Sequence, residues 1–119
     1  MIFKFNSGTE FPTPERCYIT ELYNREEDEK CSLARARVPS GITTQLHALR
    51  GTEEFYVILE GEGKVEVDGR QPSLVRPLDV VRIPADKSQR ITNTAAGDLI
   101  FLCVGLPRFV PDCYVNLEE

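Results

Sequence analysis

Short segments rich in Val, Ile, Tyr and Phe recur along this chain, each closed by Gly, Pro, Asn or Asp, while helix-period patterns are scarce. That punctuation marks a sandwich or barrel of antiparallel strands. The expected fold is all-β, with strands over 2–5, 18–23, 32–38, 42–49, 54–60, 63–67, 71–75, 80–83, 89–93 and 99–105. Asp68-Gly69, between KVEV and RQPSLV, supplies the positive φ angles of a tight hairpin turn. The run NREEDEK at 24–30 reads as a solvated loop rather than an acidic ligand cluster. The tail PRFVPDCYVNLEE, with two prolines, is expected to lie over the domain surface or a partner subunit without adding a regular element.

At 119 residues the chain is one domain, 1–119, able to bury a single core. Its 41% hydrophobic and 28% charged residues are those of an ordinary globular protein. No apolar run approaches the roughly 18 residues that span a bilayer, and MIFKFNSG has no signal-peptide pattern, so a cytoplasmic location away from membranes is expected. A net charge of -5 with scattered basic residues argues against nucleic acid as a partner. The four cysteines, Cys17, Cys31, Cys103 and Cys113, have no C-x-x-C spacing and read as reduced thiols. Cys103 is the one that strand direction can bring near the single histidine, although burial explains a strand cysteine better.

Side chains two residues apart on a strand share a face. By that rule Gln45, His47 and Leu49 point together, and Glu54 on the returning strand sits across from His47 with Tyr56 and Ile58 on its side. Gln89 and Asn93 share a face of a third strand. If these faces look inward they line one pocket. Glu53 is the competing carboxylate, and alternation turns it away from Glu54.

The stretch from Gly41 to Gly61 then resembles the first motif of the cupin family, glycine, five residues, His-x-His, three or four residues, glutamate, six residues, glycine. Here the positions are Gly41, His47, Leu49, Glu54 and Gly61, with Leu49 in place of the second histidine. The second motif, glycine, five residues, Pro-x-Gly, two residues, histidine, three residues, asparagine, falls on Leu78, Pro84, Asp86, Gln89 and Asn93. Its proline and asparagine stand, and both glycines and the histidine are replaced. With the strand pattern, the resemblance covers about 32–105 and is to small single-domain cupins of the conserved-barrel type, often described as mannose-6-phosphate isomerase-like. It implies a double-stranded β-helix, or jelly-roll, barrel that pairs as a homodimer, with the strand IFKF as an edge for the partner.

The resemblance also implies metal positions at His47, Leu49, Glu54 and Gln89. Leucine cannot coordinate and glutamine offers only a neutral oxygen, leaving His47, Glu54 and Gln89 as the ligand set. Such a set suits one weakly held divalent ion (Mn²⁺, Fe²⁺, Ni²⁺ or Zn²⁺) or none, in which case His47 and Glu54 form a polar pocket without metal. Tyr56 is either a hydroxyl at the pocket mouth or a core aromatic with a wet tip. Arg37, on one face with Arg35, either points inward to an anionic ligand or lies on the outer face. The expected function is a small-molecule enzyme of isomerase, lyase or metal-assisted type, less readily a dioxygenase, taking a polar, sugar-like or carboxylated ligand, with His47, Glu54 and Tyr56 as the catalytic candidates. The alternative is a non-catalytic module that binds or senses a small ligand.

Overall fold

A computed structural model describes residues 1–118; Glu119, the last residue of the tail, lies outside the described residues. The strands are β1 (Phe11–Pro12), β2 (Tyr18–Tyr23), β3 (Ser32–Val38), β4 (His47–Leu49), β5 (Glu53–Glu60), β6 (Gly63–Val67), β7 (Ser73–Val75), β8 (Val80–Ile83), β9 (Gln89–Asn93), β10 (Leu99–Leu106) and β11 (Tyr114–Asn116). Two 3-10 turns, Ser7–Thr9 and Pro111–Cys113, are the only helical elements among the described residues. One sheet runs β1-β2-β3-β10-β5-β8 and the other β11-β4-β9-β6-β7, with antiparallel pairing throughout, as a jelly-roll barrel requires. No helix among the described residues is long and apolar enough to cross a membrane.

Alternation builds the core. Along β3 the inward residues are Ala34, Ala36 and Val38, the last fully buried, while Arg35 and Arg37 alternate outward. Val38 joins Ile58, Ile83, Ile91, Leu99 and Phe101 between the sheets. Each such side chain contributes about 1.5–3 kcal/mol by leaving water. Gly61, at φ +85°, leads from β5 into β6, and a Cβ there would stand 2.7 Å from the Asp98 carbonyl oxygen. Only glycine fits that crossing without a backbone shift.

Most elements match the sequence reading, and the hairpin at Asp68-Gly69 has φ angles of 59° and 68°, the type I′ signature. Four segments differ. Residues 2–5 form no strand, and the outer side of β2 is paired only at Tyr18 and Ile19, by β1. Phe3 instead meets Tyr23 edge-on at 4.9 Å, and Arg35 lies over Phe5. The expected strand over 42–49 is reduced to β4, because the Gln45 N–H turns away to the Glu15 carbonyl and only an isolated bridge joins Thr43 to Thr92. The strand expected over 71–75 is only Ser73–Val75. The tail does add a regular element, since β11 pairs along the whole of β4, Tyr114 opposite Leu49 and Asn116 opposite His47. Pro111 starts the turn that aims it there.

Candidate functional site

Between the two sheets lies a cavity of about 130 Å³, roughly ten times the space that one water needs. His47 and Leu49 reach it from the five-stranded sheet, Glu54, Tyr56 and Cys103 from the six-stranded one. His47 and Glu54 therefore belong to opposite sheets, not to one hairpin. Thr44 also lines the cavity, since the break before β4 shifts the alternation. Gln45 is turned instead to the tail, where the Tyr114 hydroxyl donates to its Oε1 at 2.5 Å.

His47 is 3% exposed. Its Nδ1 lies 2.7 Å from the Gln45 carbonyl oxygen, which can only accept, so Nδ1 carries the proton. In the neutral ring Nε2 is then a bare acceptor. Tyr114 stacks on the imidazole at 4.8 Å with the rings 14° apart. Backbone and tail together fix the orientation, which needs no carboxylate.

Glu54 has a buried Oε1 with no hydrogen-bond partner among the described residues. Burial pushes its pKa up from 4.5 to about 7, and the Gln89 amide beside it acts in the opposite sense. Gln89 is itself fully buried, accepts the Tyr56 hydroxyl on Oε1, and leaves Nε2 without a protein partner. Tyr56 is 4% exposed and thus a core aromatic, and burial next to Glu54 holds its hydroxyl well above the usual range. The Cys17 and Cys103 thiols line the same cavity and are raised too, chiefly by burial, which disfavours the thiolate a nucleophile needs.

Besides Gln45, two expected pocket residues lie elsewhere. Arg37 is on the outer face of β3, donating to both Glu10 oxygens at 3.0 and 2.8 Å and stacking over Tyr18 at 4.3 Å. Asn93 is 1% exposed but is spent on backbone: its Nδ2 donates to the Val38 and Gly97 carbonyls and its Oδ1 accepts from the Ala95 N–H. It ties the β9–β10 loop to β3.

A residue missed by sequence reasoning completes the site. Glu15 lines the cavity ahead of β2, with its pKa raised by burial and opposed by the charge of His47. Its signal was period two: Glu15, Cys17, Ile19 and Glu21 alternate, and all four line the cavity. The alternate set contains Thr20, 1% exposed, so polarity alone gives the strand no inner face. Glu21 is exposed at its end of the strand.

A family model described as Cupin domain matches residues 34–105. The chain belongs to the cupin family. An uncharacterized protein of Methanocaldococcus jannaschii is 38% identical over 99 residues, 82% of this chain and 78% of that protein. An oxalate-binding protein of Thermotoga maritima is 37% identical over 71 residues, 60% of this chain and 58% of that protein, so the match covers part of it only. The structure of a Thermotoga maritima protein described as a predicted oxalate decarboxylase superposes with a TM-score of 0.80 at 26% identity, over 90% of this chain and 99% of that one.

Within the cupin barrel the replaced motif positions keep their backbone roles. Leu78 and Asp86 stand where the motif has glycine, and both hold the left-handed conformation, at φ 74° and 72°. Asp86 tolerates it by accepting the Gly51 N–H on Oδ1 at 3.0 Å. The metal positions have not kept theirs. Gln89 has one neutral oxygen to offer, and it already accepts the Tyr56 hydroxyl. Among the described residues no group of three or more His, Cys, Asp or Glu side chains is placed to hold an ion. Of the motif's metal positions one imidazole nitrogen and one carboxylate remain, and Glu15 does not join them in an ion-holding group, so this donor set does not fit the divalent ion that the motif implies.

Proposed function

We propose that this cupin binds a small molecule in the barrel cavity and that His47 Nε2 is the group that accepts a hydrogen bond or a proton from it. The observation that carries this reading is a pair of residues lining one cavity, His47 and Glu54, each with an acceptor atom that no protein group satisfies. A buried polar atom without a partner costs about 1–3 kcal/mol. A ligand that satisfies both recovers that cost on binding. The aromatic and aliphatic lining, Phe11, Ile19, Leu49 and Phe101 among it, suits a compact apolar body.

His47 is suited to the role of general base because its tautomer is set before a ligand arrives. A proton leaving the ligand goes to Nε2, and the imidazolium that forms faces the carboxyls of Glu15 and Glu54 across the cavity. An isomerase or lyase step needs such an acceptor. The relatives whose names carry oxalate support small-molecule binding in this fold.

The test is ligand-observed NMR on the full chain with a panel of metabolites of up to about ten heavy atoms, the number of water-sized spaces in the cavity. Ala36, 1% exposed and on the cavity wall, is replaced in a second sample by leucine, with cooperative melting checked first. The expected result is a set of binders that Ala36→Leu excludes. Absence of binders, or binders indifferent to Ala36→Leu, overturns the reading. The exposed apolar residues Met1, Ile2, Phe3 and Phe5 support pairing of two copies. Light scattering at the mass of a single chain would remove that part.

A further inference from the structure

The hydrogen-bonding groups of the residues that line the cavity are unequally used. Three hydroxyl donors are already spent, whereas the Ser32 hydroxyl on the wall and the Gln89 Nε2 beside Glu54 are not. The Tyr56 hydroxyl donates to Gln89 Oε1, Thr13 Oγ1 to the Cys17 carbonyl at 2.9 Å, and Thr44 Oγ1 to the Ile91 carbonyl at 3.4 Å. Acceptors remain open: Glu54 Oε1 has no partner, His47 Nε2 is free, and Glu15 has only the Cys17 thiol, 4.0 Å from its Oε1.

The charges are just as one-sided. Glu15, Glu21 and Glu54 line the cavity, and no lysine or arginine does among the described residues. The arginines next in sequence to lining residues on this side are committed elsewhere, Arg35 and Arg37 to Glu10 on the outer face and Arg16 to Glu118 at 2.7 Å. An anionic ligand would meet carboxyls with no compensating cation, and a dianion such as oxalate is itself all acceptor. Aromatic rings complete the wall: Tyr56 and Phe101 lie 4.4 Å apart, tilted by 41°, and Phe11 and Phe109 join them. Ring faces beside carboxylates attract organic cations. The overall charge of -5 favours their approach.

We propose that the cavity takes a small organic cation, an ammonium group on a compact apolar body, held by Glu54 and Glu15 with His47 Nε2 as a further acceptor. The inference rests on the small-molecule reading above and narrows it to one ligand class. It departs from what the names of the oxalate relatives suggest for a barrel of this kind.

Isothermal titration calorimetry of the full chain with n-butylammonium, 1-butanol, butyrate and oxalate separates the possibilities, since the first three differ mainly in charge and hydrogen-bonding sense. The expected result is n-butylammonium binding at least about tenfold tighter than 1-butanol, the scale of one hydrogen bond to a charged group, with no saturable binding of butyrate or oxalate. Glu54→Gln, nearly isosteric, should collapse the ratio of ammonium to alcohol affinity toward one, and Glu15→Gln should reduce it. Alcohol binding as tight as ammonium, or tighter binding of butyrate or oxalate, overturns the cation inference and leaves the pocket reading standing. Failure of all four compounds overturns the inference, and the metabolite panel then decides the pocket reading independently.

Discussion

Glu10 and Glu54 stand on opposite sides of the same sheet and meet opposite environments. Glu10, outside, receives Arg37 on both oxygens and Arg35 at 3.4 Å, and these cations hold its carboxyl below the usual range. Glu54, inside, receives no cation, and burial pushes it up to about 7. The alternation of β3 makes the difference, because Arg35 and Arg37 face out where Ala34 and Ala36 face in. The barrel thus spends its cations on the surface and keeps acceptors within. An interior so arranged has stability to lose and a ligand class to gain.

The contrast is broken most strongly through pH. A raised folded pKa means that Glu54 contributes no penalty below about 4.5, its ordinary value, where it is neutral in both states. Stability should then fall as pH rises, by up to about 3 kcal/mol once pH exceeds about 7, since each pKa unit is about 1.4 kcal/mol. Urea unfolding of wild type and Glu54→Gln across this range checks it, and the variant should lack most of the slope. A smaller effect probes the interior bond network. Tyr56→Phe leaves Gln89 Oε1 buried without a donor, and chemical denaturation should register a loss of about 2 kcal/mol.

The smallest effect lies outside. Glu10→Gln should cost at most about 1 kcal/mol, fading in high salt, because its arginines are partly exposed. Its pH dependence has the opposite sign to that of Glu54. A lowered folded pKa stabilises above the ordinary carboxylate range and is lost as pH falls through the folded value. Unfolding curves of Glu10→Gln at low and high salt measure both points. A loss larger than that from Tyr56→Phe would invert the ranking of inside over outside.

Much of this arrangement was legible in the sequence. Strands with clear alternation and turn residues at both ends, such as 63–67, 80–83 and 89–93, have the expected bounds, because side-chain period and turn chemistry are local properties. The elements misread are those set by distant partners. Residues 2–5 have strand-forming side chains but pair with no strand, whereas β11 exists because β4 offers it an edge. Among the site residues, His47, Leu49, Glu54 and Tyr56 do line the cavity, whereas Gln45, Arg37 and Asn93 are taken by Tyr114, Glu10 and backbone. Motif spacing fixes where a residue sits and cannot tell which neighbour has claimed its polar atoms. Glu15 was invisible for the complementary reason, since it lies before the motif and its inward direction depends on an ambiguous alternation.

The most direct test is a crystal structure grown with n-butylammonium and Mn²⁺ together, with anomalous data collected for the metal. The account predicts an ammonium group in the cavity within hydrogen-bond distance of the Glu54 carboxylate, and no anomalous peak at His47. A manganese peak coordinated by His47 and Glu54, with the organic cation absent, would contradict it.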